Sequence, residues 1–153
     1  MRKKRNILIL SIVLSAFLTA QLIGAILLYV MGFNNHQASE AEKLLLSEET
    51  AWIDETGRYR ITFYPQEEGG IVQNLKADSD PIGFYFGLPG VINFCDIKAT
   101  NGVELEKEHI LGDALFAYDF EEKKLTLHSF HMNTAHVGDF ENDKIVFYHS
   151  PAP

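Results

Sequence analysis

Hydrophobic positions along the chain fall into two regimes. From Ile7 to Val30 the sequence is apolar without one charge, interrupted only by Ser11, Ser15, Thr19 and Gln21. A helix rises ~1.5 Å per residue, so this run exceeds the ~30 Å hydrocarbon core of a bilayer. A helix also satisfies its own backbone polar groups in lipid. The run is longer than the ~7–15-residue apolar middle of a cleaved signal peptide, so an uncleaved anchor is expected. Arg2, Lys3, Lys4 and Arg5 precede it, and the next basic residue is Lys43. The positive-inside bias then places the N-terminus in the cytoplasm and the remainder outside a cell membrane crossed once. Residues 1–33 are read as the basic tip and transmembrane signal anchor.

Residues 34–50 form a polar connector. Ser39 and Glu42 have capping-box spacing, and Ala41 to Leu46 are good helix formers, which predicts a short helix over about 40–47.

From residue 51 to 153 the period shortens to two. Tyr59, Ile61 and Phe63 alternate with Arg58, Arg60 and Thr62, and Pro65 ends that strand. Glu67-Glu68-Gly69-Gly70 reads as a turn, followed by strands over 71–77, 83–87 and 91–99. Leu88-Pro89-Gly90 and Asn101-Gly102 carry turn chemistry. Val103 and Leu105 alternate with Glu104, Glu106 and Glu108. The segments 113–120 and 125–131 form the clearest hairpin, with Phe116, Tyr118, Phe120, Leu125 and Leu127 expected inward. A last strand covers 144–149, after a turn over Asp139 to Asp143. About eight short strands at regular spacing predict an all-β domain, a small antiparallel barrel or sandwich, behind the helix.

Charge sharpens the picture. The chain carries 13 Lys and Arg against 21 Asp and Glu. Four of the cations precede the apolar run, so the part beyond it has nine against 21, a net of −12 with His neutral. Such a domain has no basic patch to neutralise phosphates, which excludes a nucleic-acid partner. The one cysteine, Cys95, cannot form an intramolecular disulfide, nor does it stand behind the apolar run where a lipidated cysteine would. Its strand context predicts a buried, inert thiol.

Trp52-Ile53-Asp54-Glu55 leading into Arg60-Ile61-Thr62-Phe63, then Ile110-Leu111-Gly112-Asp113 through Tyr118, Lys124-Leu125-Thr126-Leu127 and Lys144-Ile145-Val146-Phe147 resemble a group of small lipocalin-like β-barrel domains. These occur in uncharacterised cell-surface (lipo)proteins of Gram-positive bacteria. The resemblance covers roughly residues 50–149 and implies an eight-stranded meander exported by a bacterium. It implies no activity. The chain departs from true lipocalins at Thr50-Ala51-Trp52, which lacks a glycine two residues before the tryptophan.

Candidate chemistry is sparse. His128, His131 and His136 cluster in sequence, with His149 further on. The odd separation of His128 and His131 puts them on opposite faces of a strand, a poor start for a metal site. Asp78-Ser79-Asp80 and Asp139 to Asp143 lack the calcium-loop pattern. Glu104, Glu106 and Glu108 read as one solvated face. No nucleophile elbow, zinc-protease motif or phosphate loop is present, so no catalytic residue, metal site or cofactor is expected.

The expectation is therefore a membrane-anchored extracytoplasmic binding or interaction module and not an enzyme. The alternative is a lipocalin-type carrier of a small apolar ligand, in a pocket walled by Trp52, Phe63, Phe84 and Phe116. Beyond the membrane itself, partners would be a second copy or a membrane protein, met through the small-residue face of Ala16, Ala20 and Gly24 beside Gln21.

Overall fold

The computed structural model describes residues 2–77, 79–99, 103–133, 140 and 143–149. One helix, α1 (Arg2–Leu45), is followed by eight strands: β1 (Thr50–Asp54), β2 (Tyr59–Tyr64), β3 (Gly69–Asn74), β4 (Ile82–Phe86), β5 (Val91–Ala99), β6 (Val103–Asp119), β7 (Lys124–Met132) and β8 (Lys144–His149). Two compact units result, one up to Asn35 and the other from His36 onward.

In the first unit, the large apolar side chains of α1 from Val13 to Val30 are exposed, and from Val13 the helix is long and apolar enough to cross a membrane. The helix does not break at the expected connector. It runs through Asn34 to Ser39 without interruption and ends at Leu45, so the expected short helix is its last part.

In the second unit every strand pairs antiparallel with its sequence neighbour, and β8 returns to β1, closing the sheet in a ring. Alternation supplies the inside. Tyr59, Ile61 and Phe63 on β2, Phe84 on β4, Ile92 and Phe94 on β5, and Leu125 and Leu127 on β7 are all buried in one cluster. Rings interlock there, with Phe63 5.5 Å from Phe84 at 84° and Phe86 5.1 Å from Phe116 at 67°. The gap left among Ile61, Phe63, Phe84, Phe86, Ile92, Phe116, Leu125 and Leu127 admits no water molecule.

One end of the ring carries the β2–β3, β4–β5 and β6–β7 turns. The last turns of α1 lie there: Ala41 and Leu45 are buried in the ring's own cluster, and Ala38 comes close to Gly90 of the β4–β5 turn. Gly90 adopts a φ of 81°, which suits glycine after Pro89. The other, far end carries the β1–β2 and β3–β4 connections. Asp54 organises its first turn. The Thr56 hydroxyl and the backbone N–H groups of Thr56, Arg58 and Tyr59 all donate to its carboxylate.

Several expectations change on contact with the structure. Segments 103–108 and 113–120 belong to a single 17-residue strand, β6. Gly69 and Gly70 lie in β3 and not in a turn. A side chain at Gly70 would meet the Thr62 carbonyl and the Phe84 ring, so close strand packing requires glycine. Phe120 is 44% exposed in the β6–β7 turn, whereas Phe116, Leu125 and Leu127 point inward as expected and Tyr118 is half-buried against them. The Asn101-Gly102 turn lies outside the described residues.

Candidate functional site

Strands β5 and β6 do not form a regular ladder. Phe94 pairs with Gly112 and Cys95 with Ile110, but Asp96 pairs with Glu106. Lys107, Glu108 and His109 therefore have no partner opposite, and the hairpin bends sharply at this bulge. Beyond the bend, residues 96–99 and 103–106 form an arm that turns back over the outer face of β4 and β3.

Its anchor is Leu105, which is buried outside the ring's main cluster, against the bare backbones of Gly69 and Gly83. The Leu105 N–H donates to Glu67 at 3.4 Å, and the Tyr85 hydroxyl donates to the Lys107 carbonyl at 3.4 Å. Lys107 Nζ lies 3.6 Å from Glu68 and 5.7 Å from the centre of the Tyr85 ring. Lys98 and Glu104 pair across the arm at 2.8 Å.

At the bend, Asp96, Glu106 and His109 converge. Each offers one ligand atom, and these atoms all lie within 4.8 Å of one another. His109 Nδ1 is 3.0 Å from Asp96 Oδ2. Among the described residues this is the one group of three His, Cys, Asp or Glu so arranged. Sequence reasoning missed it. Glu106 was placed with Glu104 and Glu108 on one solvated face, but the bulge separates Glu106 from Glu108 and returns His109 towards the Asp96–Glu106 pair. An alternation that stops at Lys107 and resumes near Ile110 was the available signal.

Asp96 also stands at the rim of the second feature, a cleft of about 270 Å³ at the far mouth. Tyr59, Asn74, Asp80, Ile82 and Phe140 contribute to its wall. Phe140 was read as part of a turn, but its ring is buried, stacked on Phe130 at 4.6 Å and tilted against Phe94 at 5.0 Å. It plugs this mouth. Ser79 and Asp80 line the same cleft, while Asp78 and most of Asp139 to Asp143 lie outside the described residues.

Cys95 is buried beside Gly83, as expected of an inert thiol. Burial, and secondarily the Asp96 charge, push its pKa up to about 11. Among the described residues the other histidines form no such cluster. Ser129 has a φ of 56° and breaks the β7 alternation, so Phe130 and Met132 face the core and both His128 and His131 face outward. The expectation of opposite faces is thus overturned by one bulged residue. His131 pairs with Asp113 at 3.1 Å, and His128 meets the Ser129 hydroxyl. His149 packs edge-on against Trp52 at 5.2 Å. His136 lies outside the described residues.

The space expected among Trp52, Phe63, Phe84 and Phe116 is filled by the rings of Phe63, Phe84, Phe86 and Phe116. Trp52 instead borders a separate apolar cleft of about 280 Å³ at the helix end, with Leu45 and Tyr118. On α1, nothing lies within 4 Å of a side chain placed at Gly24, and Ala16 and Ala20 are exposed. No protein-family model, curated protein or solved structure matches this chain.

Proposed function

We propose that this chain is a single-pass membrane protein whose β-ring, a small lipocalin-like barrel of the kind carried by Gram-positive surface (lipo)proteins, acts outside the cell as a binding or interaction module. The observation that carries the reading is the packed aromatic centre of the ring, around Phe63, Phe84 and Phe116, on a chain with a long apolar helix. A protein built this way binds through its outer faces and end clefts. The packed aromatic centre counts against the carrier reading, since an apolar ligand would have to displace Phe84 or Phe116. Arg2 to Arg5 ahead of the apolar run support a cytoplasmic N-terminus. Ala16, Ala20 and Gly24 give the anchor a face on which a second helix can approach closely.

The topology is tested by treating intact producing cells with a protease. Digestion of the part after residue 36, with the helix retained in the carbonate-washed membrane, is the expected pattern. Full protection of that part, or its recovery in soluble form without the helix, would overturn the reading. Crosslinking in the same membranes that yields monomer alone would remove the helix-mediated partner.

A further inference from the structure

The geometry points to Asp96, Glu106 and His109 as a site for a divalent transition-metal ion of the zinc class, which clips the folded-back arm at its bend. The three side chains come from two strands and meet because Lys107 to His109 are looped out of the ladder. Two carboxylates and one imidazole are a hard-to-borderline donor set. That set suits Zn²⁺ and its neighbours better than Ca²⁺, which takes six to eight oxygen ligands.

The spacing also fits. On a tetrahedral ion with bonds of about 2.0 Å, ligand atoms sit about 3.3 Å apart. His109 Nδ1 and Asp96 Oδ2 are already 3.0 Å apart, and every ligand atom of the group is within 4.8 Å of the others. The His109 side chain is 76% exposed, so it can rotate to close the remaining gap, up to about 1.5 Å, without disturbing the ring. Two carboxylates balance the charge of the ion, and the fourth position is left to water. Cys95, adjacent in sequence, takes no part: its sulfur is buried against Gly83.

Binding has a structural consequence. Without the ion, the bend is held by the Asp96–His109 pair and by the long contacts of Leu105, Tyr85 and Lys107. With it, Asp96 on β5 is tied to Glu106, which precedes the bulge on β6, and to His109 within it. The arm residues 103–106 then exchange their amide protons more slowly, because opening the arm requires release of the ion.

The test uses the full chain in detergent micelles or nanodiscs, titrated with Zn²⁺ against a chromophoric zinc indicator, with hydrogen exchange followed in parallel. One site per chain is expected, together with slower exchange over 103–106. His109→Ala and Glu106→Gln should each weaken it at least about tenfold, whereas His131→Ala, which removes a two-ligand His–Asp pair elsewhere, should leave it unchanged. Millimolar Ca²⁺ should not displace the ion. The proposal is overturned by Zn²⁺ affinity that survives His109→Ala, by loss of binding in His131→Ala, by displacement with Ca²⁺, or by binding that leaves the exchange of 103–106 unaltered. The exposed positions of His109 and His131 keep both variants folded, so each outcome reads the site and not the stability of the ring.

Discussion

The two ends of the ring are closed by different means. At the helix end the last turns of α1 lay Ala41 and Leu45 onto the core, beside Trp52 and Tyr118. The closing element is regular and continues a long helix, so several side chains share the contact. At the far end the Phe140 ring is held by Phe130, Phe94 and Tyr59. Beside Phe140 lies the cleft, where Asp80 and Asp96 meet Val72, Ile82 and Leu111, and next to Asp96 is the bend of the arm. The difference teaches where adaptation is cheap. Changing the helix end disturbs the core, whereas the far mouth and the arm can vary around a ring that stays intact.

The largest effect should come from breaking the helix end. Trp52→Ala removes the ring packed between Tyr118 and His149, and should lower stability by about 3–5 kcal/mol in thermal or denaturant unfolding of the full chain. Phe140→Ala attacks the far end. A plug at the rim relaxes more readily than a core ring, so the cost should be about 2–3 kcal/mol, near or below the low end for buried aromatics. It should also enlarge the far cleft, visible as increased binding of an apolar fluorescent dye that Trp52→Ala at equal stability does not reproduce.

Asp54→Ala should cost about 1.5–3 kcal/mol, the range for hydrogen bonds to a charged group. Burial raises the Asp54 carboxyl, but its hydrogen bonds from Thr56, Tyr59 and Arg58 outweigh that, and its pKa lies below the ordinary value. A depressed folded pKa means that the stabilisation is complete above the unfolded value of about 3.9 and is lost as pH falls through the folded one. The wild-type chain should therefore lose stability in acid below about pH 4, and the variant should show a flatter acid limb in urea midpoints measured across that range.

The smallest effect concerns Cys95. With its pKa at about 11, only about one thiol in a thousand is ionised at pH 8. Alkylation of the native chain should be slow until it is unfolded. Rapid labelling at pH 8 would mean that the arm and β4 do not cover this sulfur.

Much of the ring was legible from alternation. Strand β5 over 91–99, strand β8 over 144–149 and the inward Phe116, Leu125 and Leu127 stand where period-two patterning placed them. The misreadings share a cause, which is that local chemistry was overruled by a distant neighbour. Gly69-Gly70 carries turn composition, yet the Phe84 backbone beyond β3 demands glycine inside a strand. Phe140 sits among turn residues, yet it fills a hole left by Tyr59, Phe94 and Phe130. Residues 103–108 and 113–120 read as two separate strands, because the bulge at Lys107 to His109 interrupts alternation within one long strand in the same way as a break. The Asp96–Glu106–His109 group depends on a register that no local pattern specifies. Asn34, Asn35, His36 and Ser39 are weak helix formers, but α1 carries through them because helix on both sides makes continuation cheaper than a second nucleation.

The central claim is that the ring interior is solid and that anything bound lies outside it. Native mass spectrometry of the full chain, released gently from nanodiscs after stripping of bulk lipid, addresses this most directly. The account expects the bare polypeptide mass, plus one zinc when the ion is supplied. A reproducible organic adduct that persists in the wild-type chain and disappears in a Phe84→Trp variant, which adds bulk at the centre of the ring, would contradict it.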